Sequence, residues 1–503
     1  MNSPASPLTP SHLDELRALL GADGVVSSNA ALFTYETDAL MLEKHRPDVV
    51  VLPRNSDEVA AVVRWARSLG LPITARGAGT GLAGGATPEF GGVVLSVNRM
   101  DAVLSVDAER LFAWVQPGLV NLWLSQHVAP LGLYYAPDPA SQQVSTIGGN
   151  VATNAGGPHC LKYGVTLNHV LGAVVVLEDG SVVTLGGDAL DSADDDLLSV
   201  VIGSEGTLGI VTEICVRLLP KPAAVRTMLF DFETIEAGCH AVSNAIAAGM
   251  VPAAMEIIDR HTVGLVEAWL HLGLPTDAAA VLLIEMDGPI EGLDAQVERI
   301  GAIAREAGAR SMRVAKDDAE RAAIWRGRKS AFGAYGRTAS GFYIMDGVVP
   351  RTRLAEALSA IYRMAGERGL EAGNVFHAGD GNLHPHILFD ADDPAARAAA
   401  LEVSHEILRM CIRMGGTISG EHGVGIEKRS MMNELFAPED LALMERLRAA
   451  FDPARALNPG KILPGGAGCG EARAAQAAFG GRDGVPAQLG GRAMSGDVEG
   501  PWI

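Results

Sequence analysis

Three glycine-rich segments in the first half of the chain constrain its fold more than any other feature of the sequence. They cover residues 76–85, 146–157 and 203–211. Glycine lets the backbone turn tightly, and it lets the backbone approach a flat ligand closely. Three such loops are difficult to explain as linkers in solvent. The sequence therefore predicts that they hold a ligand together.

The first segment, RGAGTGLAGG, contains a formal G-x-G-x-x-G match at Gly79, Gly81 and Gly84. A dinucleotide-binding fingerprint of this kind needs a helix directly after the loop, so that the helix N-terminus faces the pyrophosphate. Here Pro88 follows and then a strand over 93–97, so the Rossmann context fails. A strand–loop–strand of glycines can still bind pyrophosphate through successive backbone N–H groups. The loop alone leaves this anion nest and a flexible surface loop equally open.

Hydrophobic patterning divides the chain into regions of different structure. From about residue 222, clear strands alternate with amphipathic helices, which is typical of an α+β domain with an antiparallel sheet. The last residues lack any periodicity and are predicted to be disordered. The predicted organisation is a helical lead-in over 1–45, a first domain over 46–221, an α+β domain over 222–425, a helical segment over 426–464 and a tail over 465–503.

The formal net charge of -20 at pH 7 argues against a nucleic-acid partner, because phosphate binding needs a basic face. An anionic substrate must then be held by a local arginine or a metal ion. The five cysteines form no C-x-x-C pair, so we expect no iron–sulfur cluster and no cysteine-type zinc site. We expect neither a signal peptide nor a transmembrane run. The expected location is the cytoplasm, with attachment at the inner face of the membrane left open.

A pair of histidines flanks a predicted turn in the α+β domain. Asp380-Gly381 is typical of a two-residue hairpin turn. This turn would pair His377 with His384, and directly paired residues have Cβ atoms about 4.5–5.5 Å apart. His386 would project from the same face, because side chains alternate along a strand. With a carboxylate these histidines would suit Zn²⁺ or Mn²⁺. The alternative is a stacked, hydrogen-bonded histidine pair without a metal ion.

Five segments, taken in order, resemble those of the FAD-linked D-2-hydroxy acid dehydrogenases. They are the three glycine-rich segments, residues 374–384 (NVFHAGDGNLH) and residues 420–425 (GEHGVG). The resemblance covers about residues 45–464 and is strongest to the flavoprotein subunit of bacterial glycolate oxidase and its D-lactate and D-2-hydroxyglutarate dehydrogenase relatives. It implies an α+β fold with a two-part FAD-binding domain of the vanillyl-alcohol-oxidase type, a ferredoxin-like cap domain for the substrate and a C-terminal helical segment.

By this resemblance the glycine-rich segments bind FAD, with its pyrophosphate on residues 77–81. The residues implied in FAD binding are Arg76, Gly77, Ala78, Gly79, Thr80, Gly81, Pro137, Asp138, Ser141, Gly148, Gly149, Asn150, Thr153, Gly156, Glu205, Gly209, Ile210 and Asn458. Some members of the superfamily attach FAD covalently through a histidine in the first loop. No histidine lies between Arg76 and Gly92, so we expect non-covalent FAD.

The resemblance also implies a metal and substrate site. His377, His384 and Glu421 match the ligands of a divalent ion, and Arg328 matches the residue that binds the substrate carboxylate. His422 is the candidate base for the hydroxyl proton, because it follows a ligand and is flanked by glycines that clear space around it. A role for His422 as a metal ligand, or behind the ligands, is the alternative.

Two departures from the pattern of the 2-hydroxyglutarate enzymes bear on the substrate. His386 stands where those enzymes carry asparagine, and we expect it to contact the substrate rather than the metal ion. Those enzymes also carry a lysine near the strand that here covers residues 343–346, and no lysine occupies it. This difference favours a short monocarboxylate over a dicarboxylate.

The sequence therefore predicts an FAD-dependent enzyme that oxidises glycolate or D-lactate to the 2-oxo acid by transfer of a hydride to flavin N5. The resemblance implies two partners, a second FAD-binding subunit and an iron–sulfur subunit leading to quinone. A quinone or cytochrome acceptor without these partners is left open. The alternatives are a partner-independent D-lactate dehydrogenase, a non-catalytic flavin-binding subunit, and an ether-lipid synthase of the same superfamily.

Overall fold

The computed structural model describes residues 8–41, 43–189 and 195–465. Residues up to about 220 build three separate sheets, of four, five and two strands. Residues 224–389 build one nine-stranded sheet, and the remaining residues return to the first part of the chain. Residues 466–503, which are most of the predicted tail, lie outside the described residues.

The first sheet has the strand order β1-β2-β4-β3. Its elements are α1 (Pro10–Leu20), β1 (Val25–Val26), α2 (Asn29–Leu32), β2 (Val49–Val51), α3 (Ser56–Ser68), β3 (Ile73–Arg76) and β4 (Val93–Ser96). Strands β2, β3 and β4 are parallel, whereas β1 is antiparallel to β2. The helical lead-in predicted over 1–45 contains α1 and α2, but it also contains the short strand β1, which joins the sheet. Two valines are too short a run to show a strand period.

The predicted helix after Asn55 is confirmed as α3. The Asn55 side chain accepts a hydrogen bond from the backbone N–H of Glu58 at 2.9 Å, which caps the helix. The apolar stripe of Val59, Val62 and Val63 is fully buried against the sheet. Parallel strands are usually joined by a helical crossover. Here β3 runs into β4 through the glycine-rich loop alone, as the sequence predicted.

The second sheet has the strand order β5-β6-β10-β8-β9 and is antiparallel throughout. Its strands are β5 (Val103–Asp107), β6 (Phe112–Val115), β8 (Val170–Val176), β9 (Val182–Gly186) and β10 (Ile210–Arg217), and β7 (Leu133–Tyr134) pairs separately with β11 (Leu219–Pro220). Its helices are α4 (Asn121–Val128), α5 (Ile147–Thr153), α6 (Cys160–Tyr163) and α7 (Leu197–Val201).

The second glycine-rich segment is helical rather than a loop, and that prediction was wrong. Thr146 caps α5 by accepting the N–H of Gly149 at 3.2 Å, and Ile147 and Val151 are fully buried. Two adjacent glycines lower intrinsic helix propensity. Burial of the apolar residues on either side of them outweighs that preference.

The nine-stranded sheet forms the α+β domain, and all its strand pairs are antiparallel, which confirms the prediction. Its strands are β12 (Ala224–Phe232), β13 (Ala254–Asp259), β14 (Ala280–Gly288), β15 (Ala309–Val314), β16 (Gly341–Ile344), β17 (Gly347–Val348), β18 (Glu371–His377), β19 (Asn382–Leu383) and β20 (Pro385–Phe389). Its helices are α8 (Ile235–Ala247), α9 (Arg260–Leu270), α10 (Leu293–Glu306), α11 (Asp318–Lys329), α12 (Ala331–Tyr335), α13 (Leu354–Gly366) and α14 (Pro394–Arg413).

Helices cover both faces of this sheet. Along β14, Leu282 and Ile284 pack into one apolar core, whereas Val281 and Leu283 pack into another. The first core includes α8, α10, α13 and α14, and the second includes α9 and α11. The alternation follows from the two-residue period of a strand. A polar side chain on this sheet is therefore buried unless it lies at an edge or at a strand end.

The C-terminal segment returns to the glycine-rich loop. After α15 (Met432–Leu435) and α16 (Pro438–Phe451), the backbone N–H of Asn458 donates to the carbonyl of Ile73 on β3 at 2.6 Å. The Asn458 side-chain amide donates to the carbonyls of Gly85 and Glu205. Within the described residues, no helix is both long and apolar enough to cross a membrane.

Candidate active site

The histidine hairpin has a different register from the predicted one. His377 lies opposite Asn382 rather than His384, and Gly373 lies opposite His386. Residues 378–381 form a four-residue loop whose last residue, Gly381, has a φ of +85°. The predicted two-residue turn was therefore wrong. Because the shift is two residues, each side chain keeps its face of the sheet.

The two histidines that were predicted to meet do meet. The ring centroids of His377 and His384 are 5.0 Å apart, with the planes almost perpendicular. Glu421, from the loop after α14, reaches both of them. Its Oε1 lies 3.1 Å from Nε2 of His377 and 3.3 Å from Nε2 of His384. All three side chains are more than 90% buried.

This group fits a divalent cation. Nε2 of His384 and Oε2 of Glu421 are buried and make no hydrogen bond in the described structure. Burial alone would raise the pKa of Glu421, but His377 and His384 outweigh it and hold that pKa well below its ordinary value. Burial likewise lowers the pKa of His377, and Glu256 and Glu421 reverse this and raise it well above the ordinary value. These shifts mean that the two imidazoles and the carboxylate together favour a positive charge between them. Nitrogen and oxygen donors of this kind suit Zn²⁺ or Mn²⁺.

Asp346, which follows β16, shapes the loop that carries Glu421. Its carboxylate accepts the backbone N–H groups of Gly420 at 3.0 Å, Glu421 at 3.1 Å and His422 at 2.7 Å. The fully buried Lys428 lies 3.4 Å from the same carboxylate. The sequence reasoning missed Asp346 as a site residue, because an aspartate after a strand carries no signal of its own.

His422 stacks on His384, with the ring centroids 5.0 Å apart and the planes within 5° of parallel. Burial lowers the pKa of His422 to about 4, although the nearby carboxylate of Asp346 opposes this. The imidazole is therefore neutral at pH 7 and can accept a proton. Asp346, His384 and His422 form a second group of close potential ligands. Asp346 is already occupied by backbone donors, so the group with Glu421 is the better metal site.

Arg328, predicted on a helix, lies at the end of α11 and points into the same cluster. Its Nε donates to Oε2 of Glu256 at 2.5 Å. The other oxygen of Glu256 lies 2.7 Å from Nδ1 of His377. The guanidinium makes no further hydrogen bond within the described residues, so its two Nη nitrogens can bind a carboxylate. The sequence reasoning missed Glu256, although a lone glutamate within the apolar run AMEII was a possible signal.

His386 lies in β20, two residues after His384, and belongs to neither group of potential ligands. Its ring stacks on Tyr335 at a centroid distance of 4.2 Å, and its Nδ1 donates to the carbonyl of His384 at 2.8 Å. Burial holds its pKa well below the ordinary value, so the ring is neutral. His386 therefore packs between Tyr335 and the backbone of His384, and its expected contact with the substrate stays a prediction.

The first glycine-rich loop presents free backbone donors. In the described structure, the N–H groups of residues 77–85, which include Ala78, Gly79, Thr80 and Gly81, donate no hydrogen bond to the protein. Gly77 packs so closely against Thr146 that a Cβ atom would collide with its hydroxyl. The loop therefore lies beside the N-terminus of α5, and such a row of free N–H groups suits an anion. Arg76 itself turns back and donates to the carbonyl of Thr37 at 2.8 Å.

The predicted cofactor residues of α5 divide into two sets. Gly148 packs on Pro117, and Asn150 accepts a hydrogen bond from Asn121 at 3.0 Å, so both hold the protein together. Gly149 donates its N–H to Thr146 at the start of α5, whereas Thr153 and Gly156 lie beside the loop that carries Glu421. A Cβ on Gly156 would lie 3.1 Å from Oε2 of Glu421, which brings the first part of the chain against the cluster.

The remaining predicted cofactor residues mostly make contacts within the protein. Asp138, after Pro137, pairs with His159 at 2.9 Å, and the Ser141 carbonyl accepts the N–H of Ser145 in a turn. Gly209 packs closely on Val175, and Ile210 begins β10. The contacts of Glu205 are of a different kind. Its carboxylate accepts the N–H groups of Val424 at 2.7 Å and Gly425 at 3.0 Å, which joins the third glycine-rich segment to the loop of Glu421.

Another buried carboxylate, Glu427, lies six residues beyond Glu421. Glu427 accepts the hydroxyl of Tyr343 at 2.6 Å, and its other oxygen has no hydrogen-bond partner. Burial raises the pKa of Glu427 to about 7, although Lys428, 3.8 Å away, opposes the shift. The neutral form of this side chain is therefore the one that the fold favours.

Two family models match the chain: an FAD binding domain over residues 47–186 and the C-terminal domain of FAD linked oxidases over residues 221–462. Glycolate oxidase subunit GlcD of Escherichia coli (strain K12) is 46% identical over 440 residues, which are 88% of this chain and 88% of that protein. D-lactate dehydrogenase of Anaerostipes hadrus is 34% identical over 86% of this chain and 92% of that protein. The solved structure of p-cresol methylhydroxylase with substrate bound covers 91% of this chain and 98% of that one, with a TM-score of 0.77 and 19% identity, which is a likeness of fold.

The raised pKa of Glu427 predicts how a neutral replacement changes stability with pH. The wild type is fully stabilised by this group below pH 4.5 and loses that stability as the pH rises through about 7. The Glu427→Gln variant has no proton to lose. We expect the free energy of unfolding of the variant, relative to that of the wild type, to rise by about 2–3 kcal/mol between pH 5 and pH 8.5.

Denaturant unfolding of both proteins at the two pH values measures this difference. Replacement of the exposed Glu371 by Gln is the matched control, and it should show no gain with pH. A Glu427→Gln variant that tracks the wild type across this range would mean that Glu427 is charged in the folded protein.

Proposed function

This chain belongs to the family of FAD-linked oxidases, and we propose that it oxidises a short D-2-hydroxy monocarboxylate, glycolate or D-lactate, to the 2-oxo acid. The observation that carries the proposal is a single buried cluster. It contains a guanidinium with free Nη nitrogens, a neutral imidazole and a metal-type donor group, and it lies against Gly156 of the FAD-binding part. A non-catalytic flavin-binding subunit would not need this combination.

Each residue of the cluster has a role in this proposal. Arg328 binds the substrate carboxylate through its Nη nitrogens, in the fork geometry that suits a planar anion. His422 accepts the proton of the substrate hydroxyl, because its imidazole is neutral at working pH. The stacked rings of His386 and Tyr335 would form an aromatic side of the substrate site. FAD, when bound without a covalent link, supplies a two-electron acceptor for the Cα hydrogen and its electron pair.

A divalent ion fits the same proposal. His377, His384 and Glu421 would hold it, and it would supply a Lewis acid for the hydroxyl and carboxylate oxygens of the substrate. The support is the pair of buried donor atoms without a partner, Nε2 of His384 and Oε2 of Glu421. Zn²⁺ and Mn²⁺ both accept this set of nitrogen and oxygen donors.

The electrons must then leave the flavin. The relative from Escherichia coli is named as a subunit of glycolate oxidase. By that similarity we propose that this chain works with a second FAD-binding subunit and an iron–sulfur subunit. The relative from Anaerostipes hadrus is named D-lactate dehydrogenase, without mention of a subunit, and it supports partner-independent D-lactate oxidation as the second candidate.

Anaerobic flavin bleaching tests the proposed reaction. Glycolate, D-lactate, L-lactate and D-2-hydroxyglutarate are added separately to the purified FAD-loaded protein, and the loss of the visible absorbance of the oxidised flavin is followed. We expect bleaching by glycolate or D-lactate. The His422→Ala variant should bleach at least about 100-fold more slowly while it keeps its FAD, since general bases contribute on this order.

The exposed His240 on α8 provides the matched control, and His240→Ala should bleach like the wild type. Bleaching by none of the four acids would defeat the proposed function. Unchanged bleaching in His422→Ala would leave the function in place and remove His422 from its role.

Metal content tests the ligand group separately. Replacement of His384 by Ala removes one of three donors and should lower bound Zn²⁺ or Mn²⁺ to well below one per chain after dialysis. His386 follows His384 by two residues and lies outside the ligand group, so its replacement by Asn should leave the metal bound. Elemental analysis of the dialysed proteins measures both. Equal metal content in wild type and His384→Ala would contradict the assignment of this site.

A further inference from the structure

Glu256 holds a position in the fold that neither the proposed reaction nor the proposed metal site assigns. It lies in β13, in the middle of the nine-stranded sheet, and its side chain is fully buried. The pairing of β13 with β18 places Glu256 directly opposite His377. Directly opposed residues share one face of the sheet, so the register of β13 and β18 places this carboxylate next to the imidazole of His377.

The carboxylate joins two different functional side chains. Oε1 lies 2.7 Å from Nδ1 of His377, and Oε2 accepts Nε of Arg328 at 2.5 Å. Both contacts are to donors, because a carboxylate only accepts. A buried carboxylate is stable only when donors surround it, and here a guanidinium supplies the balancing charge.

We propose that Glu256 is a positioning residue that couples the metal ligand His377 to the substrate-binding Arg328. By accepting from Nδ1 it keeps the proton of His377 on that nitrogen, and Nε2 is then left with a lone pair for a cation. By accepting from Nε of Arg328 it fixes the plane of the guanidinium and leaves both Nη nitrogens to bind an anion. The role of Arg328 rests on the proposed function, whereas the role of His377 needs only the metal site.

The two contacts of Glu256 predict how the Glu256→Gln variant behaves. An amide has one acceptor and one donor group, so the new side chain could satisfy only one of the two donors. The charged guanidinium is the stronger donor and should keep the amide oxygen. The amide NH₂ would then face Nδ1 of His377, which must accept, and the imidazole proton would move to Nε2. That proton would occupy the position from which His377 binds a metal ion.

The test compares Glu256→Gln with Glu256→Ala and with Asp259→Asn. Asp259 is an equally buried carboxylate on the opposite face of the same strand, and it bonds Thr262, Tyr362 and the backbone of Asn374 instead. It therefore controls for the general effect of neutralising a buried acid in β13. Zn²⁺ and Mn²⁺ affinities are measured by chelator competition, and pyruvate and glyoxylate binding by perturbation of the flavin absorbance.

We expect Glu256→Gln to lose about 10- to 100-fold in metal affinity, as is usual when the residue behind a metal-binding histidine is changed, and to keep anion binding within about threefold. We expect Glu256→Ala to lose both metal and anion binding, and Asp259→Asn to keep both. The inference is overturned if Glu256→Gln binds metal like the wild type, if Asp259→Asn loses as much, or if the wild type takes up neither metal ion.

The metal readout also separates this inference from the proposed function. It needs neither turnover nor a known substrate. If no hydroxy acid bleaches the wild-type flavin but Glu256→Gln still loses its metal and Asp259→Asn does not, the proposed function fails and the coupling to His377 stands. If the wild type is bleached and Glu256→Gln shows unchanged metal affinity, the proposed function stands and the coupling fails.

Discussion

The burial of three carboxylates around His377 and His384 determines how the rest of the site is built. A carboxylate removed from water is costly unless donors or cations replace the lost hydration. Two basic side chains lie among them, so one negative charge is left when the histidines are neutral. The carboxylates are those of Glu256, Asp346 and Glu421, and the basic side chains are those of Arg328 and Lys428. That remaining charge gives a physical reason for a cation at the imidazoles.

The three carboxylates do different work because their donors differ. Asp346 accepts hydrogen bonds from backbone N–H groups and pairs with Lys428, so it shapes the loop that carries Glu421 and His422. Glu256 contacts the side chains of Arg328 and His377 and orients both. Glu421 alone keeps an oxygen without a partner. Among the three carboxylates, therefore, only Glu421 has an oxygen left to bind a metal ion. That oxygen lies close to Gly156 in the FAD-binding part.

The same loop also connects the two parts of the molecule. Glu205, in the third glycine-rich segment, accepts backbone N–H groups from residues 424 and 425, and Asn458 ties the C-terminal segment to Gly85 and Glu205. Residues 424–425 and Asn458 therefore hold the first and third glycine-rich segments beside the loop that carries Glu421 and His422.

The sequence predicted much of this arrangement because side-chain faces survive errors in register. The hairpin pairing was wrong by two residues, yet His377 and His384 still met, since a strand repeats every two residues. The family and the α+β fold class are confirmed. Glu256 and Asp346 were missed because their roles depend on partners distant in the chain, and α5 was missed because burial overrode glycine propensity.

X-ray anomalous scattering from crystals of the FAD-loaded protein, grown with Zn²⁺ or Mn²⁺, would locate a bound metal ion. We expect one anomalous peak about 2.0–2.2 Å from Nε2 of His377, Nε2 of His384 and a Glu421 oxygen. Ordered flavin with these three side chains bonded only to one another, and no peak between them, would contradict this expectation.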